Sequence, residues 1–400
     1  MGNAYRTLVL RYNLLQLEPD VAEKVSALIK IQEVFRQWAD EWGRSGGRLP
    51  LPERGPLRRF AKQFLYGGRA LSWLRGLKNS GLEVRKMRPP LFFDVQLRLE
   101  KEHDIASGVF VDLPSRQVRI RKWSNLRGNT IVLPLYGSAV KWIRERVQEG
   151  ASPVLAAVWI GRKSNTVKLH VALIFRREVV PMRMKRLLVI DFNALHNGVA
   201  YAVVEEKRIV VKGVMRPNVS GILHLQKVVS RLDAICAKKD KACEEVAAVK
   251  SRIWRILRNW EDDAAKKLLQ LALQYKAAVV VDIPADRSIR KLKESGRAER
   301  KVFLNFGRLR RRLRDMAEWY GVPYGEVRLY STRCPRCEKR MTVLPNRRVR
   351  CAACGFEAHR DEVPALWAVK LFPKLFSFSS HFPARACGAP GLFCLQKLIL

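Results

Sequence analysis

Acidic residues are scarce in this chain. Of its 400 residues, 37 are Asp or Glu against 76 Lys or Arg, a formal net charge of +39. Heat-stable proteins also carry many cations, but in ion-pair networks that need matching acids. Here about half the cations have no such match. The excess requires an outside polyanion, and a nucleic acid bound with salt-sensitive affinity is the expected partner. Long apolar runs are lacking too. No run of about 18 apolar residues occurs, so no membrane span is expected. Residues 1–12 lack the continuous apolar segment of a secretory leader. The charge is spread along the chain rather than focused beside one apolar helix, which argues against a membrane surface. A disulfide framework is missing as well. Of eight cysteines, Cys236, Cys243, Cys387 and Cys394 are scattered and are expected as plain thiols in a reducing cytoplasm.

The other four cysteines form the most specific motif. Residues 334–361 read CPRCEKRMTVLPNRRVRCAACGFEAHRD, with CxxC pairs at Cys334/Cys337 and Cys351/Cys354. Tetrahedral zinc takes four thiolates, and each CxxC turn presents two sulfurs at a suitable separation. A four-thiolate site with no open ligand position is structural. One zinc ion is expected, holding in place something other than itself.

In chain order, residues 5–14 alternate as a strand, and Val21 to Trp42 recur at helical spacing. Gly43 to Pro56 reads as a loop, and 57–77 as a helix whose polar face carries Arg58, Arg59 and Lys62. From Pro90 to Arg176 the texture is β, with candidate strands at 91–99, 108–113, 117–122, 130–135, 154–160 and 168–175. A small barrel or curled sheet would account for it, completed by the first strand and interrupted by the helical region. From Arg186 the texture becomes α/β. Apolar strands are expected at 187–191, 198–204 and 209–214, the last two antiparallel. A long helical region follows over 219–275, with a turn near 237–241, then a buried strand at 277–282. A basic amphipathic segment over 297–314 and a strand at 326–331 lead into the ribbon. The tail from Pro373, Pro-broken and aperiodic, is expected to be disordered.

Three aspartates carry the candidate chemistry. Asp191 and Asp282 each close an apolar strand, and Asp361 opens an apolar helical run after the ribbon. Acids at the ends of neighbouring buried strands converge on one sheet edge and repel unless cations sit between them. Hard oxygen ligands suit Mg²⁺, and a pair of ions clamps the attacking and leaving oxygens of a phosphodiester. Structural readings stand beside this. Asp191 also suits a turn, Asp361 a helix N-cap, and Asp282 a plain structural acid with Asp286 as its stand-in. Glu205 and Glu206 read as a solvated strand end.

The ordered pattern VIDFN, VVVDIP, CPRC, CAACGFEAHRD resembles the TnpB (OrfB, zinc-ribbon) family of insertion-sequence proteins, relatives of type V CRISPR effectors. The resemblance is strong over 182–372. It implies a multidomain α/β fold, with a wedge-like β-barrel over 1–18 and 86–181 and a helical recognition insert over 19–85. A RuvC-type, RNase H-like nuclease would then span 182–372, with the ribbon at 332–358 inserted and a tail over 373–400. The implied activity is that of an RNA-guided DNA endonuclease encoded by a transposable element. It would bind a guide RNA from its own element and cut double-stranded target DNA with two Mg²⁺ beside a short target-adjacent motif. A monomer in the cytoplasm, at the prokaryotic nucleoid, is expected.

Asp191 and Asp361 match the family's first and third carboxylates, while Asp282 stands where Glu is usual, and Asp191-Phe192-Asn193 where Asp-x-Gly is common. A guided DNA binder without useful cleavage therefore remains an alternative, and a strand-joining transposase a more distant one. Candidate phosphate contacts are Arg308, Arg310, Arg311, Arg312 and Arg314, then Arg347, Arg348 and Arg350 on the ribbon. Arg360 either touches the scissile strand or pairs with the adjacent acid.

Overall fold

The computed structural model describes residues 2–44, 90–99, 108–121, 130–163, 166–193, 197–238, 244–283 and 306–380. The described residues fall into two compact units, the first ending at Val179 and the second beginning at Val180.

The first unit contains two four-stranded sheets. Strand β1 (Gly2–Asn13) runs antiparallel along β8 (Thr166–Val179), which pairs with β7 (Ser152–Lys163) and through it with β2 (Leu91–Phe93). The second sheet orders β3 (Val95–Arg98), β4 (Gly108–Asp112), β5 (Gln117–Arg121) and β6 (Ile131–Pro134). The expected strand 91–99 is thus split at Asp94, and its halves join different sheets. Gly108 makes the split possible. It adopts φ +98, and a Cβ there would lie 2.5 Å from the Asp94 carbonyl oxygen, which accepts the Val109 N–H.

Helix α1 (Pro19–Arg44) begins with Pro at a position that needs no intrahelical N–H bond. It buries Val25, Leu28 and Trp38, and Gln32 accepts the Ile160 N–H of β7 at 2.9 Å. An unexpected helix, α2 (Gly137–Gln148), interrupts the β region. Ala139, Val140 and Ile143 have helical spacing and are buried, but so short a stripe was masked by the alternating strands around it. Arg58, Arg59 and Lys62, with the helix expected at 57–77, lie outside the described residues.

The second unit is built on a five-stranded sheet of order β11-β10-β9-β12-β13. Strands β10 (Val199–Glu205) and β11 (Arg208–Met215) form the expected antiparallel pair, and β9 (Arg186–Phe192) adds to β10 antiparallel to complete a meander. Strand β12 (Ala277–Asp282) then joins β9 in parallel, and β13 (Tyr324–Val327) joins β12 in parallel. The last strand lies two residues earlier than its expected start and ends at Val327. Helices α3 (Val219–Lys238) and α4 (Glu244–Gln274) fill the long helical region. Cys236, expected as a thiol, is in a disulfide.

Because strand residues alternate faces, the sheet buries two different layers. Leu188, Ile190, Val279 and Val281 pack against Ala265, Leu268 and Leu269 of α4 and Leu309 and Leu313 of α5 (Phe306–Trp319). Leu187, Val189, Ala278 and Val280 face the ribbon and helices α6 (Val363–Lys370) and α7 (Phe372–Ser380). The expected disorder from Pro373 is therefore corrected over 373–380. Phe372 and Leu375 are buried in this layer, giving the segment an apolar anchor that its composition alone did not reveal.

Candidate functional site

The sheet's alternation decides where the first two acids point. Asp191 continues the face of Leu187 and Val189, and Asp282 that of Ala278 and Val280. Val281 pairs with Ile190 in the parallel ladder, so Asp191 and Asp282 follow side by side at the strand ends. Parallel neighbours lie about 4.8 Å apart. Asp361 occupies a single 3-10 turn, Arg360–Glu362, immediately before α6, which packs on the same face. His359 caps that turn, its Nδ1 accepting the Asp361 N–H at 3.3 Å. Glu362 is held by Lys212 of β11 at 2.7 Å.

The three acids have different surroundings. Asp282 is 8% exposed, and its Oδ1 accepts the Leu329 N–H at 2.6 Å. Burial pushes its pKa up to about 7, with a further contribution from the Asp191 charge. Burial, then the Asp361 charge, pushes Asp191 up to about 6, although the Asn193 amide donates to its Oδ2 at 3.1 Å. Asp361 is gripped by Arg347, which donates through Nε to Oδ2 at 3.3 Å and through a terminal nitrogen to Oδ1. The same guanidinium donates to Asn193 Oδ1 at 2.7 Å. The buried donor set is wholly oxygen and suits a hard divalent cation. Asp191 and Asp282 are shifted upward chiefly by burial, and each is raised further by a neighbouring carboxylate.

The ribbon consists of two matching knuckles. In each, the first Cys donates its N–H to the carbonyl five residues on and accepts the N–H four residues on: Cys334 with Lys339 and Glu338, Cys351 with Phe356 and Gly355. Each knuckle turns on a left-handed residue, Glu338 (φ 63) or Gly355 (φ 70). The four sulfurs lie within 4.8 Å of one another, so Cys334, Cys337, Cys351 and Cys354 have the spacing to hold one metal ion. Cys334 and Cys351 are buried in the sheet's core layer, which fixes the ribbon to the five-stranded sheet. Trp367 of α6 donates to the Arg333 carbonyl at 2.8 Å, a second tie between ribbon and sheet.

The arginines divide. Arg308 bridges Glu261 and Asp262 of α4 at 2.7 and 2.9 Å, and Arg312 pairs with Asp262. Arg310 and Arg314 both pair with Glu326 of β13. Of that group, Arg311 is exposed and has no acid partner among the described residues. On the ribbon, Arg348 pairs with Glu357 at 2.7 Å, whereas Arg350 is exposed without an acid partner among the described residues. Arg360 acts electrostatically on Asp191, and its buried Nε has no hydrogen-bond partner among the described residues. Glu205 joins Arg186 and Arg208 at the strand end. Asp286 lies outside the described residues. The bridge from Arg347 to Asp361 and Asn193 had no signal in the sequence, because it depends on where the ribbon folds back.

A mixed α/β fold with a cysteine-cluster ribbon packed against an acid-tipped sheet places the protein beside the Cas12f nucleases in architecture. Residues 306–366 match the family model for the Cas12f1-like TNB domain. No curated protein matched in sequence. Among solved structures, a Cas12f1 in complex with sgRNA and target DNA aligns over 92% of this chain and 99% of its own, at 12% identity and TM-score 0.50. A CRISPR-Cas12f ternary complex aligns over 88% and 85%, with 13% identity and TM-score 0.34. The mini-RNA-guided endonuclease CRISPR-Cas_phi3 aligns over 62% and 61%, with 9% identity and TM-score 0.29. The chain thus resembles a Cas12f1 in fold, and its ribbon region resembles the Cas12f1-like TNB domain. No helix among the described residues is long and apolar enough to cross a membrane.

Proposed function

We propose that this protein is an RNA-guided DNA endonuclease of a transposable element, with Asp191, Asp282 and Asp361 as its catalytic carboxylates. The observation that carries the reading is the parallel register of β9 and β12. It sets Asp191 and Asp282 side by side on the sheet face where Asp361 arrives. The net charge of +39 supports a polyanionic partner. The aligned Cas12f1 structure is a complex with sgRNA and target DNA, which supports a guide RNA paired with target DNA as that partner. Sequence would then be read by base pairing, and the protein would grip backbone.

Asp191, Asp282 and Asp361 would hold the catalytic Mg²⁺. When bound, the metal supplies Lewis acidity and a clamp on the attacking and leaving oxygens of the phosphodiester. Asp282 is oriented by the Leu329 N–H, which occupies Oδ1 and leaves Oδ2 uncommitted to that bond. Asp191 is oriented by Asn193. The short turn and α6 deliver Asp361 from the ribbon side. Arg311, Arg350 and Arg360 are the phosphate contacts this reading favours, with Arg308, Arg310, Arg312, Arg314, Arg347 and Arg348 engaged in ion pairs. Arg58, Arg59 and Lys62 remain candidates on the recognition insert.

A guided binder without cleavage is the second reading, favoured by Arg347 on Asp361 and by Asp in place of Glu at 282. To decide, the protein is purified with co-expressed RNA, the retained RNA is sequenced, and the complex is challenged with a plasmid library in Mg²⁺. A discrete RNA whose end matches the cut targets, with cleavage lost in Asp191→Asn and Asp361→Asn, is the expected result. A discrete RNA that directs binding but no cleavage supports the second reading. Absence of any specific RNA refutes both.

A further inference from the structure

We propose that Arg347 is a positioning residue that acts as an internal counter-ion. It holds Asp361 in a closed arrangement from which a divalent cation must displace it, and so sets the metal affinity of the acid site. This inference rests on the three-carboxylate reading above. Both oxygens of Asp361 accept hydrogen bonds from the one guanidinium, and the Asp361 side chain is only 6% exposed. The guanidinium also reaches Asn193, which in turn donates to Asp191. One ribbon side chain therefore links the first and third acids. A fork-shaped donor holds a carboxylate in a fixed orientation, and here the oxygens it engages are those a metal would need. Among the described residues the four cysteines are assembled at metal-binding separations, and the three aspartates are not.

The loop that carries Arg347 is strained in a way that favours release. Asn346 and Arg347 are consecutive left-handed residues, at φ 55 and φ 59. Asn tolerates that region, whereas a long side chain such as Arg visits it rarely. Backbone hydrogen bonds from Leu344 to Arg348 and from Arg348 to Pro345 close the loop, and the guanidinium's grip adds to what holds Arg347 in this conformation. Removing the grip frees the loop to relax between β14 (Thr342–Val343) and β15 (Arg348–Arg350). Cation binding at the acids and relaxation of the ribbon loop are then linked, each favouring the other.

The test uses the full-length, zinc-loaded protein, with Mn²⁺ as the probe. Mn²⁺ affinity is measured by electron paramagnetic resonance titration, and amide exchange is followed over residues 344–348. Arg347→Gln is expected to bind Mn²⁺ about tenfold more tightly than wild type. Arg350→Gln, the same charge change at an exposed site, is expected to shift affinity less than threefold, about the level of a screened surface charge. In wild type, Mn²⁺ should speed exchange in the loop; in Arg347→Gln the loop should exchange fast without it. If Asp361→Asn abolishes Mn²⁺ binding but Arg347→Gln weakens it or leaves it unchanged, the counter-ion role is overturned and the acid site stands. If Mn²⁺ binding is indifferent to Asp191→Asn and Asp361→Asn, the acid-site reading fails and takes the proposal with it.

Discussion

Replacing Asp282 with Asn should make the metal-free protein more stable while abolishing cleavage. The carboxyl titrates at about 7 in the fold against 3.8 ordinarily, because it is buried beside Asp191. That displacement corresponds to about 4 kcal/mol held against ionisation. The folded state binds the proton more tightly than the unfolded chain, so folding stability falls as pH rises from about 4 and levels off above about 7. Asn keeps the carbonyl that accepts the Leu329 N–H and carries no charge. With partial relaxation around the charge in wild type, we expect a gain of about 2 kcal/mol at pH 8. For a unit of this size that is a rise in melting temperature of about 4–8 °C.

Calorimetry in magnesium-free buffer, without chelator so that any metal on the four ribbon cysteines is retained, should show this gain at pH 8 and shrink it markedly by pH 5. Added Mg²⁺ should stabilise wild type and leave Asp282→Asn unmoved. A variant that is less stable than wild type at both pH values would refute the reasoning. Asp282 would then be a structural acid whose ionised form the fold prefers.

Further expectations follow from the same geometry. Magnesium should bind more tightly as pH rises from about 6 to about 7.5, because the upward-shifted Asp191 and Asp282 must release protons to ligate it; titration calorimetry in buffers of different ionisation enthalpy at pH 6.5 should register that release. Arg308→Ala should cost about 2 kcal/mol of stability by stranding Glu261, whose side chain is 9% exposed, yet change RNA affinity less than twofold. Arg311→Glu should do the reverse, lowering RNA affinity and the steepness of its salt dependence in filter-binding assays. Stripping zinc should loosen residues 332–358 and expose Met341 and Val349, which pack in the layer containing the cysteines; hydrogen exchange should show this without loss of protection in α4.

What the sequence determined by itself was whatever a short window encodes. The CxxC knuckles, the apolar strands tipped by Asp191 and Asp282, and the antiparallel pairing of β10 with β11 depend on residues within a few positions of one another. The +39 charge needs only composition. The structure agrees with these readings in the second unit, where strands are long and strongly patterned. It departs from them where the window misleads. Strand 91–99 divides because Asp94 meets Gly108 across a sheet boundary, α2 was hidden among strands, and Phe372 and Leu375 find a core that a Pro-broken tail did not advertise.

The fate of the charges was decided by the tertiary structure alone. Arg308, Arg310, Arg312 and Arg314 form a uniform basic stripe in sequence, yet they face acids from α4 and β13 that lie far along the chain or across the sheet. Arg347 reads as one more ribbon cation until the fold brings Asp361 and Asn193 to its two sides. A side chain's charge is local, but its partner is set by which elements pack together. Coulomb attraction and burial act on distances through space, and the order of residues does not contain them.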